Sequence, residues 1–368
     1  MQVIADNPYR VLGVLAGATA RDIIRQANTI KKFLAAGQDP PCDYSFLAFS
    51  KLNRNLKSVD AAVAKLNFDA DKMTAALFWF YKGNIITDEP AFDALKTGDL
   101  NTAIQIWEKL LFTEINGRND KQWEVVSRRN YSAFHNYFVG SFLNNPGAEK
   151  AVNAIAAQLR FLESNFYASF VIQVADITFK TTKEELQLIF LNEIIREIEQ
   201  KTINVTFVQL ASILNNNNPV KQVFIKNISQ KLTEKIAGQI QIARNKADDK
   251  PNAAKRGEDL FKQTKEEIQQ LKIILGERDF TYFNSADKLA NEILQCGIDH
   301  FEYFKNTDAD SCEHSLKLLD WANSLAVGVL IKQNCRENTM IIQEWMKKKK
   351  KNIFQHYLQK FSNINNFL

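Results

Sequence analysis

From Asn252 to Leu368 the chain contains no proline, and the 368 residues hold only 13 glycines and 7 prolines. Sandwiches, barrels and glycine-looped nucleotide folds reverse direction often, and they use Gly and Pro to do so. Average proteins carry about 12% of the two together, roughly twice the share found here. A chain so poor in turn residues is built from long helices. Hydrophobic types make up 45% of it, enough to fill cores and to exclude wholesale disorder. The expected class is all-α, with two or three domains at about 100–200 residues each.

Lys and Arg number 47 against 42 Asp and Glu, a net charge of +5 at pH 7. An excess this small implies no nucleic-acid partner by itself. No apolar run approaches the roughly 20 residues of a membrane span, and the opening MQVIADNPYR lacks the basic-then-apolar pattern of a secretory leader. Four cysteines, Cys42, Cys296, Cys312 and Cys335, are too few and too scattered for a disulfide framework. The expectation is a cytoplasmic protein with reduced thiols and no membrane span.

Three segments are distinguishable. In residues 1–83, Asp6-Asn7-Pro8-Tyr9 opens a short helix carrying Val11 and Leu12, with Gly13 at its end. Thr19 then caps a second helix, with Asp22 three residues on in the manner of a capping box. Ile23, Ala27, Ile30 and Leu34 form its apolar stripe, and Gly37 followed by Pro40-Pro41 stops it. A third helix is expected over 58–66. A fourth after Asp69 is expected to carry Met73, Ala76, Leu77 and Phe80, with Trp79 alongside.

This order of parts resembles a J domain, the module of DnaJ-type co-chaperones. The likeness lies in Asn7-Pro8-Tyr9-Arg10-Val11-Leu12-Gly13-Val14, then in Thr19, Asp22, Ile23, Arg25 and Ile30, and later in Leu66 and Asp71-Lys72. It covers roughly a fifth of the chain. The resemblance implies a helical head whose second helix offers a basic face, here Arg21, Arg25, Lys31 and Lys32, to a protein partner. One departure matters. The His-Pro-Asp tripeptide with which J domains engage a DnaK-type ATPase is missing: Ala35-Ala36-Gly37 stands there, and no histidine precedes His135. Stimulation of ATP hydrolysis is therefore not carried over.

In residues 84–218, Ala91, Leu95, Gly98, Asp99, Ala103, Ile106 and Trp107 follow in an order that resembles a tetratricopeptide helix-turn-helix. In that motif small residues let two helices approach, Gly-Asp turns the chain and the aromatic fills the groove. Pro90 is expected near the start of the first helix, where its missing N–H costs little. A further helix pair is expected to use Trp123, Val126, Tyr131, Phe134 and Tyr137, with more helices over 147–164, 166–178, 182–199 and 206–214. Residues 215–219, four asparagines and a proline, read as a linker.

Residues 219–368 are expected to form a bundle of longer helices. Val223, Ile228, Leu232, Ile236, Ile240 and Ala243 stripe the first, and 246–252 reads as a loop. Leu260, Thr264, Ile268, Leu271 and Leu275 stripe the next, which Gly276 stops. Later stripes run through Leu289, Ile293, Cys296, His300 and Phe304, through Leu318, Leu319, Ala322 and Leu325, and through Ile331, Cys335, Ile342 and Trp345.

Cys296, His300, Cys312 and His314 are residue types that ligate zinc. Cys296 and His300, however, lie on an apolar stripe, and C-x3-H…C-x-H matches no common finger. A core cysteine and a satisfied histidine account for them better, and no metal or cofactor is expected. Neither nucleophile-elbow, P-loop, dinucleotide nor H-E-x-x-H signature occurs. Lys347, Lys348, Lys349, Lys350 and Lys351 form the sharpest charge feature. At about 100° per residue they cover a full circle of a helix, so the helix is expected to project or break near Met346. Ile353, Tyr357, Phe361 and Ile364 then resume helical spacing.

The favoured function is non-catalytic protein binding in a chaperone-associated adaptor, through Arg21, Arg25, Lys31 and Lys32. Regulatory nucleic-acid binding through Lys347–Lys351 is the alternative, and an unrecognised hydrolase the third.

Overall fold

The computed structural model describes residues 1–41, 44–46, 52, 54–114, 121–216, 218–307 and 312–365, with side chains to residue 352 and that of Glu114 excepted. Cys42 and the side chains of Ile353, Tyr357, Phe361 and Ile364 lie outside the described residues. The fold is all-α. Two compact units divide the chain, 1–224 and 225–368. The head over 1–83 and the middle over 84–218 lie inside the first.

In the first unit, α1 (Gln2–Ala5) leads to α2 (Pro8–Leu12), whose start is fixed by Asn7. The Asn7 side chain accepts from Tyr9 N, Pro8 takes the first helical position and left-handed Gly13 (φ 65°) ends the helix. Thr19 caps α3 (Ala20–Ala35), which buries Ile23, Ala27 and Ile30, the expected stripe. Asn55 and Ser58 form a capping box at α4 (Leu56–Lys65), which buries Val59 and Ala62. The fourth helix, α5, covers only Asp69–Ala76. Trp79 and Phe80, expected on it or alongside, belong instead to a non-helical buried run, residues 77–81, whose five side chains are at most 1% exposed.

After that run come α6 (Ile85–Lys96) and α7 (Leu100–Leu111), a hairpin turning at Gly98 (φ 85°), with Asp99 capping α7. Asn84 caps α6, so the helix starts well before Pro90, which stands inside it. The hydrogen bond that proline removes falls on the carbonyl of Ile86, in the exposed first turn. Trp107 is fully buried, stacked on Phe80 at 5.6 Å and set edge-on to Phe92 at 5.9 Å. The expected helix pair around Trp123 is corrected. Trp123 sits in a two-stranded antiparallel hairpin, β1 (Phe112–Glu114) and β2 (Lys121–Trp123), where it faces Phe112 across the strands at 4.3 Å.

Next, α8 (Tyr131–Leu143) is buried over its whole length to Phe142. Around it lie α9 (Ala148–Glu163), α10 (Tyr167–Val174) and α11 (Lys183–Glu199), with α12 (Phe207–Ile213) packed on α9 and capping boxes at Thr182–Glu185 and Thr206–Gln209. Helix α13 (Pro219–Arg244) begins in the first unit, where Val220 and Phe224 take the inward positions while Val223, expected there, is exposed.

The second unit continues with Ile228, Leu232, Ile236 and Ile240 of α13, all buried. It then runs through α14 (Ala253–Leu275), α15 (Phe280–Phe304), α16 (Cys312–Leu325) and α17 (Val329–Asn365). Gly257 of α14 allows one close approach: a Cβ there would lie 2.9 Å from the Cys296 Cβ and 2.9 Å from a Leu318 methyl. Helix α17 runs unbroken past Met346, which corrects the expected break.

Replacement of Trp107 by Ala empties a site enclosed by Phe80, Phe92 and Gly140. We expect a loss of about 3–5 kcal/mol in urea unfolding. A loss below about 1 kcal/mol would mean that the ring is not buried between α6 and α7.

Candidate functional site

Two polar assemblies in the first unit invite a functional reading, one sealed and one open. The sealed one surrounds the buried run 77–81 and the two residues after it. His135 of α8 places Nε2 2.7 Å from the Trp79 carbonyl and Nδ1 3.0 Å from the Gln158 amide. With Nε2–H donating to that carbonyl, the neutral ring's Nδ1 is an acceptor and calls for the Gln158 NH2. Asn136 donates to the Tyr81 carbonyl at 2.8 Å and accepts from Tyr81 N at 2.9 Å. Asp88 accepts from Gly83 N (3.1 Å), Asn84 N (3.0 Å) and Trp107 Nε1 (3.3 Å). Burial raises the Asp88 carboxyl against these donors and lowers His135 to about 4. Asp88, His135, Asn136 and Gln158 are each fully buried; the first three bond backbone groups, and Gln158 holds the His135 ring.

The sequence carries a signal for this cluster: a histidine and an asparagine within a helix that is apolar all round have to be buried, and buried polar groups have to be bonded.

The open assembly is a groove of about 670 Å³ over the α2–α3 loop. Its floor is backbone. Trp79 Nε1 donates to the Val14 carbonyl at 2.9 Å, and Ala16 N donates to the Phe80 carbonyl at 2.9 Å, in a single parallel bridge to Tyr81. Gly17 has φ 86°, and the Gln173 carbonyl oxygen lies 3.4 Å from where a Cβ would stand. Asp22, Arg25 and Gln26 of α3 form one wall, and Tyr44, Lys82 and Gln173 contribute to the others. The Tyr81 hydroxyl meets the Gln173 amide, and Gln26 Nε2 donates to the Pro41 carbonyl at 3.1 Å.

Of the four basic residues expected on α3, Arg21, Arg25 and Lys32 are exposed. They share a stripe at i, i+4 and i+11, and Arg25 also lines the groove. Its guanidinium is steadied by Asp22 at 2.8 Å. Lys31 is half-buried and paired with Asp60 of α4, so it ties the two helices together. Ser45, in the connection after α3, is held by Arg10 of α2. Arg10, itself buried, donates to the Ser45 carbonyl at 3.2 Å, and Ser45 Oγ donates to the Arg10 carbonyl at 2.8 Å.

In the second unit, Lys347, Lys348, Lys350 and Lys351 are exposed. Lys349 is the one that turns back: its Nζ donates to the Thr307 carbonyl at 3.0 Å and lies 4.8 Å from the Trp345 ring centroid. One long side chain reaching along the surface thus accommodates a lysine on the packed side without breaking the helix. Cys296 Sγ receives Arg256 Nε at 3.3 Å, while His300 faces His314 with ring centroids 5.9 Å apart and His314 lies beside Glu258. Among the described residues no group of three or more His, Cys, Asp or Glu is placed to hold a metal ion. None of their helices is long and apolar enough to cross a membrane.

Compared with known proteins, the chain matches no protein family, no curated protein and no solved structure.

The sealed cluster generates a pH prediction. Folding lowers the pKa of His135 from 6.5 to about 4, so the unfolded chain binds the proton more tightly. The neutral ring's contribution is fully present above about pH 6.5 and is lost as pH falls toward 4, by about 3 kcal/mol for this group. His135→Gln keeps a donor near the Nε2 position for the Trp79 carbonyl and removes the titration. The stability gap between wild type and variant, from urea unfolding at several pH values, is expected to narrow by that amount in acid. A gap that stays constant would exclude His135 as the source.

Proposed function

We propose that the chain is a non-catalytic binding protein, a chaperone-associated adaptor with a J-like head and a tetratricopeptide-like hairpin. Its first unit receives an acidic segment of a protein partner on the outer face of α3 and in the groove beside it. The observation that carries this reading is the alignment of Arg21, Arg25 and Lys32 on one exposed stripe, with Arg25 at the groove wall. The groove's backbone floor, pinned through Ala16 and Val14 to the buried run, suits an extended segment. Rim cations of this kind steer association and set its salt dependence.

The test is fluorescence anisotropy with a labelled acidic peptide and its basic counterpart. Binding is expected for the acidic peptide alone, weakening at least about tenfold when Arg21, Arg25 and Lys32 are all changed to Glu. The melting temperature should hold, because all three are exposed. Equal binding by the wild type and the triple variant would sink the proposal. With Ala35-Ala36-Gly37 in place of the tripeptide, a single-turnover assay with a DnaK-type chaperone is expected to stay at its basal rate.

A second reading rests on the four lysines of α17 that stay exposed. Nucleic-acid binding through them would be salt-dependent and lost when Lys347–Lys351 become Gln. The favoured reading expects no such binding at physiological salt.

A further inference from the structure

Two turns of the second unit carry exposed apolar side chains beside uncommitted cations. Successive helices α14, α15, α16 and α17 pack on one another through short connections. The α14–α15 turn (276–279) and the α16–α17 turn (326–328) therefore lie at the same end. Four large apolar side chains there are open to solvent: Phe280 (78% exposed), Val329 (81%), Leu330 (68%) and Ile273 (57%). Phe283, one turn beyond Phe280 on α15, is also exposed, and its ring reaches Gly328 of the second turn. The buried side of α15 is carried by Tyr282, Ser285, Ala286 and Leu289, so the core does not need Phe280 or Phe283.

The charges at this end are sorted by sign. Asp279 is spent on the first amides of α15, accepting from Thr281 N at 2.7 Å and Tyr282 N at 3.3 Å. Asp287 is spent on the second turn, accepting from Val327 N at 2.8 Å and Gly328 N at 2.9 Å. Glu277 pairs with Lys272 at 2.7 Å. Arg278 and Lys288 are exposed, and neither makes an ion pair among the described residues. What faces outward is an apolar knob with Arg278 and Lys288 at its rim, the carboxylates of the two turns, Asp279, Asp287 and Glu277, being engaged by the protein itself, while Asp320 farther along α16 stays exposed.

An aqueous polyanion would neutralise those cations and leave the Phe280 and Val329 side chains in water. An anionic bilayer answers both features: the apolar groups pass below the headgroups while Arg and Lys meet the lipid phosphates. We infer that this end of the second unit docks on an anionic lipid surface, through Ile273, Phe280, Val329 and Leu330, with Arg278 and Lys288 at the headgroups. The lysine run takes no part. Lys349 is anchored at Thr307, beyond the far end of α15, about 30 Å along α17 from Val329. This inference goes beyond the protein-binding role of the first unit and does not depend on it.

The experiment is co-sedimentation of the full chain with vesicles of phosphatidylcholine mixed with phosphatidylserine, and with phosphatidylcholine alone. Binding to the mixed vesicles is expected, with little to the neutral ones. Phe280→Ser combined with Val329→Ser, and separately Arg278→Gln combined with Lys288→Gln, should each weaken partitioning about tenfold or more. Unchanged circular dichroism and melting temperature would confirm that both variants are folded. Absence of binding to mixed vesicles overturns the inference, as does binding that both variants retain. Loss of binding in the Lys347–Lys351 glutamine variant, with the end variants unaffected, also overturns it.

Discussion

Backbone that is buried but not helical has to find a partner for each peptide group outside its own segment, because neither water nor an i−4 carbonyl is at hand. Residues 77–81 present this problem in the first unit through their carbonyls and the Tyr81 N–H. The N–H groups of Leu77, Phe78 and Trp79 still bond back to Met73, Ala75 and Ala76, and the surrounding elements supply the remaining partners. Asn7 donates to the Ala75 and Phe78 carbonyls, His135 to Trp79, Ala16 N to Phe80, Asn136 to Tyr81 and Tyr131 Oη to Gly83. A buried group left without its partner costs about 1–3 kcal/mol, so α2, α8 and the α2–α3 loop are each bound to one register against the run. Gly83 tightens the arrangement, since a Cβ there would lie 2.8 Å from both Tyr131 and Ser132. The open groove inherits its floor from the same bonds: Val14 and Ala16 are where they are because Trp79 and Phe80 hold them.

This explains which parts were legible in the sequence. Helices with one wet face announce themselves by period, and Ile23, Ala27 and Ile30, or Leu260, Ile268 and Leu271, are buried as that period requires. Side-chain caps were equally readable at Thr19, Thr182 and Thr206. The run Phe78-Trp79-Phe80-Tyr81 has no wet face and hence no period, so it read as more helix. Pro90 misled for a related reason: a helix started by Asn84 tolerates it because the bond it removes lies in the exposed first turn. The hairpin at Trp123 depends on Phe112 across the strands, a pairing that helical spacing cannot express. Of the candidate site, the basic stripe was legible as residue types on α3. The groove was not, because Gln173 closes it from α10, far along the chain; nor was the loss of Lys31 from the basic stripe, since Asp60 of α4 pairs with it.

The second unit solves an easier problem. Its helices satisfy their own backbones, and what has to be arranged is close approach. Gly257 and Gly297 supply it, each leaving room for the side chains of α16: Leu318 against the first, Leu319 against the second. Arg256 then crosses the α14–α15 contact with three bonds, to Cys296 Sγ, to the Lys246 carbonyl at 2.6 Å and to Asp299 at 2.9 Å. A buried guanidinium is costly unless its donors are matched, and here each of its nitrogens has an acceptor. Cys296 is thereby accounted for as a packed, hydrogen-bonded core residue, its thiol pushed up by burial.

The same logic of committed and uncommitted groups separates structure from function across the chain. The histidine, carboxylate and amides that most resemble catalytic machinery in type, His135, Asp88, Asn136 and Gln158, are wholly enclosed. Asn136 and Asp88 also bond backbone groups at the C-terminal end of the aromatic run and just beyond it. Freeing one of them for chemistry would strip a buried peptide of its partner. The groups with no such duty are cations on helix surfaces, Arg21 and Lys32 on α3 and the four outward lysines on α17. Acidic side chains nearby are instead engaged internally, Asp60 by Lys31 and Asp22 by Thr19 and Arg25. On α3 the carboxylate is thus engaged within the protein while Arg21 and Lys32 stay in water, which is the charge pattern that the proposed acidic partner requires.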